Sequence, residues 1–103
     1  MLFETENLAS KPQVIGEDYL LVVGVAPVYP ASALSHNLEG YVDLSFTVTS
    51  TGIVKDPEVI RSSDAVFDRA AIRSVLKFKY KPRVVDGVAV DTPNVITRIS
   101  FEL

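Results

Sequence analysis

The 103-residue sequence contains no cysteine and no tryptophan, and it has a single histidine, His36. Without cysteine the chain forms neither a disulfide nor a thiolate metal site, an absence that fits any redox compartment. One histidine excludes multi-histidine metal sites and weakens a Ser–His–Asp interpretation. Because Glu39, the nearest acid in sequence, forms no recognisable motif with His36, we expect a surface histidine rather than a general base.

Long hydrophobic runs are also missing. No stretch reaches the roughly 18–20 apolar residues that a membrane-spanning helix needs. The longest apolar stretch, residues 19–30, is broken by a glycine and by prolines, and no basic region introduces it as in a signal peptide. We therefore expect the sequence in hand to be soluble, with residues 1–18 as a polar, acidic linker remnant and residues 19–103 as one domain.

The net charge of −3 argues against a protein that binds nucleic acid through phosphate contacts. Residues 1–54 carry six acids and one base, whereas residues 55–103 carry seven acids and nine bases. The basic segment 77–83 interleaves Phe78 and Tyr80 with lysines, a pattern that can stack nucleobases. The alternative is an amphipathic strand with both rings inward, which the acidic pI favours, so we predict no nucleic-acid partner.

Catalytic motifs are equally scarce. Asp64 and Asp68 are four residues apart near the start of a predicted helix. Carboxylates there commonly cap the helix or interact with its dipole, which explains both residues without catalysis. Ser62 and Ser63 lack the glycine setting of a nucleophile elbow. The five glycines never cluster into a phosphate-binding loop. We therefore predict no catalytic residue, no cofactor and no metal site, and hence not an enzyme.

Alternating hydrophobicity is what the sequence does contain. Residues 41–49 and 95–103 alternate apolar and polar side chains, which predicts half-buried antiparallel strands. A turn at residues 50–52 leads into a second strand, 53–60, in which Pro57 should occupy a bulge or a free edge. Asp86-Gly87 predicts a two-residue hairpin. Residues 19–26 favour a further strand, either buried on both faces or paired with another chain.

Two helices complete the pattern. Tyr29-Pro30 predicts a helix from Ala31 to about Asn37 that Gly40 ends, with Ala33, Leu34 and Leu38 as its apolar stripe. The second helix, roughly residues 65–77, follows N-cap candidates at 62–64. Its apolar stripe is built from Phe67, Ala71, Val75 and Phe78. The predicted fold is α+β, with two helices packed on one face of a three- to four-stranded antiparallel sheet.

Several ordered motifs resemble the C-terminal domain of the TonB family. They are Ala26-Pro27-Val28-Tyr29-Pro30, Leu38-Glu39-Gly40-Tyr41-Val42, Asp56-Pro57, Phe67-Asp68 with Ala70-Ala71-Ile72, Lys77 to Pro82, and the closing Ile99-Ser100-Phe101-Glu102-Leu103. The resemblance covers about residues 19–103 in order and spacing. One departure lies in Ala26 and Val28, where many members carry a polar Gln-Pro-x-Tyr-Pro motif that contacts the transporter plug.

The resemblance implies a periplasmic receptor-binding domain of an energy transducer. Such a transducer is anchored in the inner membrane by an N-terminal helix outside this sequence, and ExbB and ExbD act on that part. It couples the proton-motive force to outer-membrane transporters of iron-siderophore complexes, haem or cobalamin. The transporter's TonB box is expected to add as a strand beside the last strand. The expected contact residues are Tyr29, Pro30, Val95, Ile96, Thr97, Arg98, Ile99, Ser100 and Phe101.

The same domain also suits a second role. The alternative is a TonB-like or TolA-like interaction domain of another envelope-spanning or sensor protein. Such a protein would share the binding mode but would not be involved in iron uptake. A further expectation concerns the apolar residues 22–25, which either add a strand to the sheet or exchange between two chains. We therefore predict that the isolated domain tends to form a homodimer.

Overall fold

A computed structural model describes residues 21–103 of the chain. The linker prediction for residues 1–18, and the first two residues of the predicted strand 19–26, lie outside that range. In chain order the elements are β1 (Leu21–Val23), α1 (Ala31–Ser35), β2 (Gly40–Val48), β3 (Val54–Ser62), a 3-10 helix (Ala65–Phe67), α2 (Asp68–Val75), β4 (Lys79–Tyr80), β5 (Arg83–Val85), β6 (Val88–Val90) and β7 (Thr92–Phe101).

Three strands form the main antiparallel sheet, in the order β3–β2–β7. Because β2 is central and its alternate side chains are apolar, one face of β2 is buried from Val42 to Val48. The predicted alternation is confirmed on β2 and on β7. The buried residues of the two strands are Val42, Leu44, Phe46, Val48, Val95, Thr97, Ile99 and Phe101.

The helical layer covers this buried face. Phe67, Ala71, Val75 and Phe78, the stripe predicted for the second helix, are all buried in the same core as the strands. The Asp64 carboxylate accepts a hydrogen bond from the Val66 N–H, as an N-cap should. The α+β class is thereby confirmed. The second helix is more divided than predicted, because a 3-10 turn precedes an α-helix that ends at Val75.

The first helix is shorter than predicted, and its end is different. It stops at Ser35, and Asn37 takes the left-handed conformation with φ 53°. Gly40 is therefore not the helix stop but the first residue of β2. A Cβ at Gly40 would lie 2.5 Å from the Phe67 ring, so the glycine permits close packing rather than a turn. Leu34 is half exposed, so only part of the predicted stripe is buried.

The strand β3 lies at one edge of the sheet and carries a bulge. Between the pairs Ser45↔Glu58 and Thr47↔Lys55 it contains one residue more than β2. That extra residue falls at Asp56 and Pro57, and Asp56 has a φ of 53°. The prediction of a bulge or free edge at Pro57 is confirmed on both counts, because proline cannot donate to a ladder.

Two small ladders flank the main sheet. The Asp86-Gly87 hairpin is confirmed, with φ of 51° and 80° at its two turn residues, as a type I′ turn requires. It joins β5 to β6. β1 pairs with β4 inside the chain, through Leu21↔Tyr80. Of the described part of the predicted strand 19–26, residues 21–26, three residues form a strand, and the side chains of Val22 and Val23 are exposed instead of buried on both faces.

Candidate functional site

The predicted contact strand β7 is regular over the segment that the sequence singled out. Pairing with β2 runs without interruption from Val95↔Phe46 to Phe101↔Gly40. The irregularity in this ladder comes earlier, at Pro93 and Asn94, where Asn94 has a φ of 61°. Residues 95–101 therefore form a straight strand whose backbone lies at the edge of the sheet.

The two edges of the sheet differ in how well they are protected against pairing with a further strand. The β3 edge is interrupted by the Asp56–Pro57 bulge, a device that blunts strand pairing. On β7 the bulge precedes Val95, and no proline follows it. Among the described residues β7 has β2 as its one strand neighbour. The seven residues 95–101 thus offer a longer uninterrupted template for an added strand than β3 does.

Side chains of β7 divide into two sets. Those of Val95, Thr97, Ile99 and Phe101 are buried beneath the helices, so they act in packing and only their backbone is near the edge. Those of Ile96, Arg98 and Ser100 point to the opposite face of the sheet and are half buried. On the outer face of the sheet, the side chains of an added strand would therefore lie beside Ile96, Arg98 and Ser100.

Arg98 belongs to a cluster that sequence reasoning missed. Its Nε donates to Asp43 Oδ1 at 2.7 Å and its Nη2 to Asp43 Oδ2 at 2.9 Å. Its guanidinium carbon lies 4.0 Å from the centre of the Tyr41 ring. The hydrogen bonding that Arg98 donates to the Asp43 carboxylate raises the pKa of Arg98. The cluster fixes the arginine in one orientation, in the planar paired geometry that favours arginine over lysine.

The cluster follows from register rather than from local sequence. Asp43 faces Arg98 and Tyr41 faces Ser100 across the β2–β7 ladder. Opposite charges directly across an antiparallel pair stabilise it. Only the strand pairing brings these residues together, since 55 positions separate Asp43 from Arg98. The alternating polar face of each predicted strand was the available clue.

Tyr29 lies at one end of the predicted site. Its ring packs edge-on against Phe101 with ring centres 5.7 Å apart, and against Phe67 at 6.1 Å. Its hydroxyl donates to the Leu38 carbonyl. Burial of the ring, followed by the charge of Glu39, raises the pKa of Tyr29. Pro30 follows as the N-cap of α1.

The structure therefore brings together Tyr29, Pro30 and the Phe101 end of β7. It does not bring Tyr29 to Val95, because six residues of extended strand span roughly 20 Å. The expectation that the Tyr29–Pro30 segment lies beside the last strand holds only at that end. Whether these residues contact a partner stays a prediction.

Other candidate residues have structural roles. Phe78 and Tyr80 are buried while Lys77 and Lys79 are exposed, so the rings that base stacking would require point inward. His36 is exposed, and its Nδ1 lies 2.8 Å from the Ser32 carbonyl oxygen. Within residues 21–103 no group of three acidic or histidine side chains could hold a metal ion. Nor does any helix in that range have the length and apolarity to cross a bilayer.

Known proteins of similar sequence belong to one family. The family described as Gram-negative bacterial TonB protein C-terminal matches residues 25–103. Protein TonB of Pseudomonas aeruginosa is 38% identical over 65 residues, which cover 62% of this chain and 19% of that protein. Protein TonB of Vibrio cholerae is 25% identical over 87 residues, covering 84% of this chain and 36% of that protein. The chain thus spans well under half the length of these curated relatives.

Solved structures share the fold. The solution NMR structure of the Pseudomonas aeruginosa TonB CTD is similar with a TM-score of 0.64 and 31% identity, over 81% of this chain and 84% of that one. The TonB2 protein from Vibrio anguillarum gives a TM-score of 0.57 and 38% identity, over 75% of this chain and 74% of that one. These similarities agree with the α+β class described above.

Proposed function

Because this chain belongs to the family of Gram-negative bacterial TonB C-terminal domains, we propose that it binds the TonB box of an outer-membrane transporter by strand addition along β7. The observation that carries the proposal is the difference between the two sheet edges. β3 is interrupted by a bulge and Pro57, whereas residues 95–101 form a regular strand at the other edge. An added peptide would form main-chain hydrogen bonds there.

The expected strength of such binding suits a transient coupling. Each added hydrogen bond contributes about 0.5–1.5 kcal/mol net, so the roughly six bonds of a six-residue strand approach micromolar affinity at the upper end of that range. Several bonds loaded side by side would share a pulling force. The role is that of a transducer rather than an enzyme, in which the domain transmits force to the transporter and performs no chemistry.

The location of the domain and its membrane anchor form a second part of the proposal. We place the domain in the periplasm, with an inner-membrane anchor outside residues 1–103 on which ExbB and ExbD act. Supporting this, the chain matches 19% of one TonB relative and 36% of another, so most of each relative lies outside the match. Co-purification of the complete protein with ExbB and ExbD, and its absence after deletion of the anchor, would test this part.

A pair of isomeric peptides tests strand addition directly. In a sheet, only alternate residues of an added strand direct their N–H groups toward the neighbouring strand. Two versions of a TonB-box peptide, N-methylated at odd or at even positions, should therefore differ sharply. We expect one to bind like the unmodified peptide and the other to lose at least tenfold in affinity, measured by fluorescence polarisation.

An NMR titration of labelled protein locates the bound peptide. Strand addition at β7 predicts shifts concentrated at the amides of residues 95–101, with β3 amides unaffected. Equal loss of affinity for both N-methylated isomers, or shifts confined to β3, would contradict the proposal. If no transporter peptide shifts any amide at millimolar excess, the alternative role as an interaction domain of another envelope protein would take its place.

A further inference from the structure

A groove of about 500 Å³ separates the non-helical segment 25–30 and the first residue of α1 from α2. Its apolar lining includes Pro27, Val66 and Ala70, and none of its described lining residues belongs to β7. Three cations, Arg69, Arg73 and Lys77, also line it, and no acidic side chain in the described part of the chain does so. The groove is therefore apolar and positively charged.

The three cations follow one another at intervals of four residues. This interval corresponds to a rise of about 6 Å along a helix, so Arg69 and Arg73 lie one above the other and Lys77 follows just past the helix end. All three are exposed. Within residues 21–103 none of them has an ion-pair or hydrogen-bond partner. Their charges are thus available to an anionic ligand.

The opposite wall is the segment 25–30 between β1 and α1, which is held at both ends. The Ser74 hydroxyl donates to the Val25 carbonyl, and the Tyr29 hydroxyl donates to the Leu38 carbonyl. Between these attachments, the backbone N–H groups of Ala26 and Val28 have no hydrogen-bond partner among the described residues. The Val28 side chain is 80% exposed. This wall offers unpaired main-chain groups and apolar surface beside the cations.

We propose that this groove binds an acidic peptide segment in extended conformation, with carboxylates at alternate positions and apolar side chains between them. Alternate side chains of an extended chain are about 6.6–6.8 Å apart, close to the spacing of the cations on α2. Carboxylates at successive odd positions would pair with Arg69, Arg73 and Lys77. The intervening side chains would contact Val28 and the apolar lining.

This interaction surface goes beyond the strand addition proposed for β7, because its cations lie on and just past α2 and its binding depends on charge. The groove shares Tyr29 and Pro30 with the expected transporter contacts, so only the cations are changed in the test, and their loss should leave strand addition at β7 intact. The groove binds through side-chain cations, so its affinity should fall with salt concentration. The affinity of main-chain pairing at β7 should depend much less on salt concentration.

The test uses the full chain and a fluorescent hexapeptide, acetyl-Glu-Val-Glu-Val-Glu-Val-amide, with its glutamine counterpart as the uncharged control. In the variant Arg69→Gln/Arg73→Gln/Lys77→Gln, we expect binding of the acidic peptide to weaken roughly tenfold. The matched control Lys55→Gln/Arg61→Gln/Lys81→Gln has the same net charge, changes only exposed cations, and should bind as the unmodified chain does. NMR shifts should appear at Ala70 and Ser74.

Three results would overturn the proposal. Equal weakening in both triple variants would mean that net charge alone attracts the peptide. Equal affinity for the glutamic and glutamine peptides would remove the role of the cations. Binding of phosphatidylglycerol vesicles that the first variant loses, together with no peptide binding, would assign the groove to anionic lipid instead. Unchanged circular dichroism and thermal midpoint in both variants would show that loss of binding is not loss of folding.

Discussion

At the scale of single residues, Gly52 and Gly87 have similar backbone conformations but different surroundings. Their φ angles are 84° and 80°, in the region that other residues rarely adopt. A Cβ at Gly52 would lie 2.1 Å from the Tyr80 carbonyl oxygen, whereas a Cβ at Gly87 would meet nothing within 4 Å. The pair therefore separates the effect of backbone strain from the effect of a steric clash.

We expect Gly87→Ala to lower the free energy of unfolding by about 1–2 kcal/mol, the strain of a left-handed alanine. Gly52→Ala should cost at least about 2 kcal/mol more, because the Tyr80 backbone must move. The Tyr80 N–H also bonds to the Gly52 carbonyl at 2.9 Å, so that contact is disturbed as well. Urea denaturation of both variants provides the measurement, and equal losses would contradict the steric argument.

Tyr80 presents a buried hydroxyl that has no hydrogen-bond partner among the described residues. Burial also raises the pKa of Tyr80 above its ordinary value near 10. The raised pKa means that the neutral phenol stabilises the fold below pH 10, and that this contribution is lost as the pH rises above 10. Phenylalanine at this position would remove both the unpaired hydroxyl and its titration.

We therefore expect Tyr80→Phe to leave stability at pH 7 unchanged or raised by up to about 1 kcal/mol. Between pH 9 and pH 11 the variant should lose less stability than the unmodified chain. Tyr29→Phe is the matched control: its hydroxyl donates to the Leu38 carbonyl, so its removal should cost about 0.5–1.5 kcal/mol. Urea midpoints at pH 7 and between pH 9 and pH 11 provide the measurement, and a larger loss for Tyr80→Phe than for Tyr29→Phe at pH 7 would refute the argument.

At the scale of elements, periodicity made β2 and β7 predictable. Each strand alternates apolar and polar residues, and the requirement to bury one face leaves a single orientation for such a strand. Asp86-Gly87 and Pro57 were equally predictable, because their backbone constraints act locally. The regular alternation of β7 was predictable for the same reason, and β7 lies at an edge of the sheet.

Features that arise from tertiary contacts were not predictable. Gly40 resembles a helix stop in sequence, but its small size serves the packing of Phe67, which is 27 positions away. Asn37 adopts the left-handed conformation in its place. The Asp43–Arg98 pair and the groove beside α2 likewise require elements that are distant in sequence. Local patterns define elements, whereas sites between elements depend on register and packing.

The Asp43–Arg98 pair joins β2 to β7 and should contribute to the stability of that ladder. The side chains are 40% exposed for Arg98 and 14% exposed for Asp43, so solvent partly screens the attraction. We expect a coupling energy of about 0.5–1 kcal/mol from a double-mutant cycle with Asp43→Asn and Arg98→Gln. A parallel cycle with Asp43→Asn and Lys55→Gln, whose side chain is exposed on β3, should give no coupling.

At the scale of the whole molecule, five exposed valines lie on the flanking ladders, on β1, β5 and β6. Val22 is 66% exposed, Val84 58% and Val88 62%. β1 pairs with β4 inside the chain, so it has a strand partner without a second molecule. The exposed valines, however, remain in contact with water. Burying them against a second copy would be favourable, so the predicted homodimer is now expected to form through side chains rather than by exchange of β1.

Sedimentation velocity over a concentration series tests this expectation. The unmodified chain should show a growing dimer fraction. Val84→Thr/Val88→Thr should weaken its dimerisation by roughly a hundredfold, because each of the two copies loses two methyl groups and each buried methyl group contributes about 0.8 kcal/mol. Ile53→Thr/Ile60→Thr changes two exposed residues in and beside β3 and should have no effect. Monomer at every concentration would contradict dimerisation itself. Equal weakening by both variants would instead indicate non-specific association of exposed apolar surface.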